Sequence, residues 1–270
     1  MKKMAVIDLD DTLLSPKKDI SQDNLHALNV LREKEFEIVI ASGRHHENIM
    51  GFQDRIGRQE WVISSNGAVV RHAQSSAMLH ELTLTHSQAI NVCRYAFERG
   101  LTVVGYHKDG AFAERDSEWT RRYSLGAGWE TRRGRFDILA ATGFQKLLLI
   151  HSPEKMDRIQ PEAEKRFGSE MYVVRTENEI LEIAASATNK AMGAQAVAKA
   201  MGVDRKNVLA FGDGNNDVEL LTWAGRSVAM AHGRESARKA AKSVSPPGAN
   251  ESAFARGVLA VLQGWEGLVA

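Results

Sequence analysis

Cys93 is the single cysteine in 270 residues, so no internal disulfide can form, and this scarcity suits a reducing compartment. No apolar run is long enough to span a bilayer, and no signal-peptide core follows Met1-Lys2-Lys3, so a cytoplasmic location is expected. An excess of either charge is missing too. Lys and Arg total 35 against 34 Asp and Glu, which leaves no global field to draw the chain onto nucleic acid or an anionic membrane. Internal repeats and low-complexity tracts are absent. Neither a Gly-x-Gly-x-x-Gly after the first strand nor a Walker-type Gly-Lys-Ser or Gly-Lys-Thr loop occurs, which removes Rossmann-type nicotinamide enzymes and P-loop ATPases.

What is present reads as alternating strands and helices. Met4 to Leu9 is a short apolar strand, followed by a helix from about Ser21 that places Leu25, Leu28 and Leu31 on one face. Phe36 to Ala41 is a second buried strand, a polar helix follows Arg44, and Trp61 to Ser64 is a third strand ending in the turn Asn66-Gly67. The alternation returns near the other end. There a helix at Lys190 to Met201, a strand at Asn207 to Phe211, a helix at Asn216 to Trp223, a strand at Ser227 to Ala229 and a helix at Arg234 to Lys242 follow in turn. Such alternation implies a doubly wound parallel sheet built from residues 1–82 and 186–270.

Residues 83–185 read differently. A helix ending at Gly100, strands at Leu101 to Tyr106 and Gln145 to His151, a helix at Pro153 to Phe167, and strands at Met171 to Arg175 and Glu179 to Ala184 lack strict alternation. Four strands and two helices in this order suggest an α+β module with an antiparallel sheet, inserted into the first domain.

Asp8 and Asp10 stand where the first strand runs into a turn, and ligands of open α/β sheets bind beyond the carboxyl ends of the strands. By itself this pair is equally a solvated loop. Phe211-Gly212-Asp213-Gly214-Asn215-Asn216-Asp217 repeats the pattern, and Asp213 lands beside Asp8 if the two strands are neighbours. Converging oxygen donors suit a hard ion such as Mg²⁺, whereas zinc recruits Cys or His. Ser42-Gly43-Arg44 follows the second strand, where the Ser42 hydroxyl and the backbone N–H groups of a helix start can hold phosphate oxygens; alone it reads as a helix cap. Lys190 opens a helix, where a cation opposes the macrodipole unless an anion sits close by.

Together these segments resemble the haloacid-dehalogenase-like (HAD) phosphohydrolases. DLDDTLL is similar to the first motif of that family, ASGR to the second, Lys190 to the third and GDGNND to the fourth. Their order, and the large insert between the second and third, resemble the Cof-type branch with its α+β type II subtype B cap. The resemblance implies a Mg²⁺-dependent phosphatase acting on small phosphorylated metabolites through an aspartyl-phosphate. Asp8 would be the nucleophile and Asp10 the general acid and base, while Asp8, the Asp10 carbonyl and Asp213 would hold Mg²⁺ with support from Asp217. It further implies that Ser42, Gly43, Lys190 and Asn216 bind the transferring phosphoryl group and that Thr12 orients the first loop.

Three positions depart from the pattern: Asp11 replaces a Gly, Ala191 follows Lys190 in place of Gly, and Ala231-His232 stands where Gly-Asn is common. His45-His46 reads as a solvated helix start, because adjacent helix residues point in different directions and no further ligand lies nearby. Arg121-Arg122 and Arg132-Arg133-Gly134-Arg135 read as solvated surface or as an attractor for an anionic substrate tail. A phosphomutase and a catalytically silent sugar-phosphate-binding regulator are the competing readings. Release of free phosphate separates the first, and intact Asp8, Asp10, Lys190 and Asp213 argue against the second.

Overall fold

A computed structural model describes residues 2–57, 59–75 and 77–266. The first five strands are β1 (Lys3–Ile7), β2 (Phe36–Ala41), β3 (Trp61–Ser64), β4 (Val69–His72) and β5 (Met78–Glu81). The next six are β6 (Thr102–His107), β7 (Gly110–Ala113), β8 (Thr131–Arg133), β9 (Lys146–Ile150), β10 (Met171–Glu177) and β11 (Ile180–Ala185). β12 (Val208–Gly212), β13 (Arg226–Ala229) and β14 (Ser243–Val244) complete the set. They form one sheet in the order β14-β13-β12-β1-β2-β3-β4-β5 and a second in the order β10-β11-β9-β6-β7-β8.

β1 is central to the first sheet because it is apolar on both faces, as a strand covered by helices on each side must be. Ala5 and Ile7 point into one fully buried cluster with Leu28, Leu31 and Phe254, and Met4 and Val6 into another with Ala194, Val197 and Leu220. The helices Gln22–Glu33 and Ala253–Glu266 cover the first face, and Lys190–Met201 with Val218–Trp223 and Glu235–Ala240 the second. This is the expected three-layered, doubly wound core. It is parallel from β14 to β3, but β4 and β5 are added antiparallel, a hairpin that the alternation of strands and helices does not announce.

The second sheet buries Leu147, Leu149 and Leu181 against the helices His86–Glu98 and Pro153–Phe167. Its other face carries Val104, Tyr106, Leu148 and Ile150, packed against Trp119, Tyr123 and Trp129. The inventory of four strands and two helices expected here is too small. β7 and β8, the helix Glu118–Ala127 and the short helix Phe136–Leu139 are also present. β7 is Gly-Ala-Phe-Ala and β8 Thr-Arg-Arg, so neither carries the β-branched alternation that marks a strand, and β8 lies at a sheet edge. No helix of the described residues is long and apolar enough to cross a membrane.

Candidate active site

Three parallel neighbours, β12, β1 and β2, end at the same level, since Ile7 is in register with both Phe211 and Ile40. β1 leads onward to one side of the sheet while β12 to β14 lie on the other, so their carboxyl ends flank a switch point. Asp8, Ser42 and Asp213 are therefore delivered to one crevice by backbone pairing alone.

Lys190 is the electrostatic centre. It is fully buried, and its Nζ lies 2.5 Å from Asp8 Oδ1 and 2.6 Å from Asp217 Oδ1. Burial works to lower its pKa, but the charges of Asp217 and Asp8 outweigh burial and hold the ammonium above its ordinary range. Asn189 caps the helix by accepting from the Met192 N–H at 2.8 Å, so the lysine sits at a fixed first position. Gly67 is required opposite it: with φ +96° it approaches so closely that an added Cβ would lie 2.1 Å from the Asn189 carbonyl oxygen.

Asp217 spends its second oxygen on its own loop, accepting from the N–H groups of Asp213 at 3.0 Å and Gly214 at 2.9 Å. Asp213 accepts from the Thr12 hydroxyl at 2.8 Å. Burial, then the Asp217 charge, pushes the Asp213 carboxyl up to about 7. Asp8 is raised as well, by burial in the first place, against the opposing pull of Lys190. One ammonium thus faces three carboxylates, whose oxygens lie within 4.8 Å of one another in Asp8, Asp213 and Asp217. The donors are all oxygen and the negative charge is under-compensated, which fits a hard divalent cation.

Asp10 is turned away from this cluster. It takes a two-pronged pair from Arg44, with Nε to Oδ2 and Nη2 to Oδ1 both at 2.7 Å, and a third bond from Lys18 Nζ at 2.7 Å. Burial raises its pKa, but Arg44 and Lys18 more than offset that and leave it at about 2. Ser42 is buried and its Oγ accepts from the Arg44 N–H at 3.1 Å, the turn that aims the guanidinium. Gly43 is packed so that a Cβ there would lie 3.1 Å from Asn66 Oδ1.

Asn216 belongs to a polar chain that leaves the core. Its Nδ2 donates to Asn66 Oδ1 at 2.8 Å, Asn66 Nδ2 donates to Glu182 Oε2 at 2.6 Å, and Lys146 Nζ bonds the same oxygen at 2.9 Å. Lys18, Arg44, Asn66, Lys146 and Glu182 had no role in the sequence reading. Arg44 lay inside the ASGR segment and Asn66 beside a turn glycine, and only the fold shows what they face. A cavity of about 620 Å³ opens between the two sheets, lined by Asp8, Asp10 and Asp213 from the core and by Trp119, Tyr123 and Glu182 from the other side.

His45 and His46 are not solvated: they are 2% and 6% exposed. His45 Nε2 donates to the His107 carbonyl at 2.9 Å while its Nδ1 accepts from the Glu47 N–H at 3.3 Å, which fixes the tautomer. Desolvation, then Arg71, brings the His46 pKa down from 6.5 to about 4. The unfolded chain therefore binds a proton below pH 6.5 that the folded chain refuses until about pH 4, so His46 contributes stability above pH 6.5 that is lost as pH falls. After allowance for solvent screening the loss is about 1–2 kcal/mol. In urea unfolding at pH 7 and 4.5, His46→Gln is expected to lose less stability on acidification than the wild type by that amount, and equal losses would contradict it.

The departures at Asp11 and His232 meet each other. Asp11 has φ +57°, a conformation that Asp tolerates in place of Gly, and its carbonyl accepts from His232 Nε2 at 2.8 Å. Ala191 is buried in the core beneath the helix start.

A switch-point crevice that gathers carboxylates around one buried lysine, beneath an inserted α+β lobe, defines a hydrolase of the HAD type. The chain belongs to the haloacid dehalogenase-like hydrolase family, whose model matches residues 5–257. The HMP-PP phosphatase of Yersinia pestis (strain Pestoides F) is 25% identical to it over 232 residues, 86% of this chain and 85% of the relative. The crystal structure of a haloacid dehalogenase-like hydrolase from Bacteroides thetaiotaomicron superimposes with a TM-score of 0.83 at 25% identity, covering 97% of this chain and all of the other. A HAD subclass IIB sugar phosphatase, at 18% identity, shares the fold with a TM-score of 0.82 over 98% of this chain and 99% of its own.

Proposed function

We propose that the protein is a Mg²⁺-dependent phosphatase that hydrolyses small phosphorylated metabolites, sugar phosphates or similar monoesters, through an aspartyl-phosphate on Asp8. The observation that carries this reading is the buried Lys190 pinned between Asp8 and Asp217 with Asp213 alongside, where Asp8 and Asp213 also line the cavity. The phosphatase relative and the sugar-phosphatase fold neighbour support the reaction class. Residues 1–82 and 186–270 form the catalytic core and 83–185 the cap that reads the leaving group.

Lys190 occupies Asp8 Oδ1, so Oδ2 is the oxygen left to attack phosphorus. As that bond forms, the ester P–O bond breaks and the leaving oxygen takes a proton from Asp10. Water then attacks the phosphoryl group, its proton passes to Asp10, and the bond to Asp8 breaks to release inorganic phosphate. Arg44 and Lys18 keep Asp10 ionised, the form that accepts the proton from water; it acts as an acid only once protonated. Lys190, the Ser42 hydroxyl and the Gly43 N–H bind phosphoryl oxygens, Asn216 lines their approach, Thr12 holds Asp213, and Asp217 orients Lys190 and its own loop. Asp8, the Asp10 carbonyl and Asp213 would hold Mg²⁺, which when bound supplies positive charge to the phosphoryl oxygens.

The test is phosphate release from a panel of phosphate monoesters with Mg²⁺ and with excess chelator. Activity is expected to vanish with chelator and return with Mg²⁺. Asp213→Ala, which removes one oxygen donor, is expected to raise the Mg²⁺ concentration for half-maximal rate by about 10-fold or more. Full activity in excess chelator would rule out the metal site.

A further inference from the structure

We propose that the cap positions Asp10, with Arg44 as the residue that transmits its hold. This rests on the phosphatase reading above, in which Asp10 moves the protons. Arg44 is only 9% exposed. One edge of its guanidinium grips both oxygens of Asp10. The remaining nitrogen, Nη1, donates to Asn48 Oδ1 at 2.5 Å and to the backbone carbonyl of Ala127 at 3.0 Å.

Ala127 is the last residue of the helix Glu118–Ala127, which packs on the second sheet. Its carbonyl is one of the final four that an α-helix leaves without an internal partner, and it sits at the negative end of the helix dipole. Gly128, left-handed at φ 61°, ends the helix there and leaves that oxygen aimed at the core. A guanidinium satisfies such a group better than water does, and Asn48 Nδ2 approaches the same oxygen at 3.4 Å.

The next core residue fastens the same corner. Trp129, just beyond Gly128, stacks on His45 with ring centroids 4.7 Å apart at 22°, and His45 also donates to the His107 carbonyl on β6. Arg44 and His45, adjacent in sequence, therefore hold the other lobe at three points, and one of those points is shared with Asp10.

Arg44 is built for positioning rather than for direct contact with phosphate. A guanidinium has five N–H donors, and four of them are engaged by Asp10, Asn48 and Ala127. Lysine could supply the charge but not a planar fork with further N–H donors pointing away from the pair. Asp10 is set by this fork together with Lys18, so displacement of the helix end displaces the carboxylate. An error of about 1 Å in a reacting group can cost on the order of 10²-fold in rate.

The experiment uses the full-length protein with saturating Mg²⁺, 4-nitrophenyl phosphate as a good leaving group and glycerol phosphate as a poor one. Arg44→Lys is expected to lower kcat on the poor leaving group by about 10²-fold and on the aryl ester far less, with both KM values within a few-fold of wild type. Asp10→Asn should show the same selectivity, and adding Arg44→Lys to it should slow the enzyme no further, because the two act as a unit. Trp129→Ala, which frees the helix end without touching Asp10, should repeat the selectivity at about 10-fold.

Equal losses on both esters, an effect confined to KM, losses that multiply in the double variant, or a faster Arg44→Lys enzyme would overturn the proposal. If the wild type releases phosphate from neither ester, the phosphatase reading fails by itself, and the link is still read by stability. Urea unfolding of Asp10→Asn, Trp129→Ala and their combination should then be non-additive, although the two side chains share no contact in the structure. Simple additivity would overturn the link.

Discussion

Asp8→Asn is expected to reduce phosphate release to background while the protein stays folded. The substitution keeps the shape of a buried side chain just beyond β1, and Asn Oδ1 can still accept from Lys190. What it removes is the charge that would make the oxygen the proposed nucleophile and one of the anionic oxygens that would hold Mg²⁺. The loss should therefore exceed the roughly 10²- to 10⁴-fold that a proton-transfer group contributes. A short-lived aspartyl-phosphate, trapped by acid quench after incubation with labelled substrate, should disappear in parallel. Near-normal turnover of the pure variant would exclude Asp8 as the nucleophile. Removing one of three crowded carboxylates also relieves repulsion, so thermal stability should be unchanged or higher.

The convergence of Asp8, Ser42 and Asp213 on one crevice was legible in the sequence because each part is local. Largely apolar segments of five or six residues leading into Asp8, Ser42 and Asp213 announce strands, and parallel sheets put their functional groups at carboxyl ends. What the sequence could not show were pairings made across the chain. Asn66 reads as a turn residue, yet it meets Glu182, 116 positions away, and only the seating of one sheet over the other brings them together. Arg44 reads as part of a helix start, and its grip on Ala127 depends on where the helix Glu118–Ala127, with its exposed Leu125, happens to end.

His45 and His46 were misread for a related reason. Adjacent residues on a helix do point apart, which is why they make no metal pair, but His45 caps the helix and His46 is its first residue. Divergence there sends the His45 ring to Trp129 and the His107 carbonyl, while His46 is buried on the other side of the turn. The short strands β7 and β8 were missed because a Gly-Ala-Phe-Ala and a Thr-Arg-Arg segment are stabilised by their neighbours in the sheet, not by any pattern of their own.

Lys190→Met is expected to damage stability and activity together, and Mg²⁺ should repair only the first. Methionine matches the stem of the lysine, so packing under the helix start survives, but Asp8 and Asp217 lose the ammonium at 2.5 Å and 2.6 Å. Breaking a buried pair by removing one partner costs about 3–5 kcal/mol, because the charge left behind has neither water nor a counter-ion. In a chain of this size that is a fall in melting temperature on the order of 10 °C. The sign of the pH dependence follows from the group that is left. Wild-type Lys190 has a raised pKa, so its contribution is fully present across neutral pH and is lost only as pH rises through that raised value. In the variant Asp8 has lost its ammonium, and burial already raises its carboxyl, so the penalty grows as pH rises above the ordinary carboxylate range. The variant should thus lie nearest the wild type in stability at mildly acidic pH and furthest from it at pH 8. Mg²⁺ at millimolar concentration, by supplying positive charge to the same oxygens, should recover most of the melting temperature at pH 8. In the proposed mechanism it cannot replace Lys190 as donor to the transferring phosphoryl group, so kcat should stay down by about 10²- to 10³-fold. Thermal scans at pH 5.5 and 8, with and without Mg²⁺, alongside steady-state phosphate release, separate the two effects. A penalty that shrinks as pH rises would show that Lys190 does not neutralise Asp8 and Asp217, and recovery of kcat with Mg²⁺ would show that it does not serve the phosphoryl group.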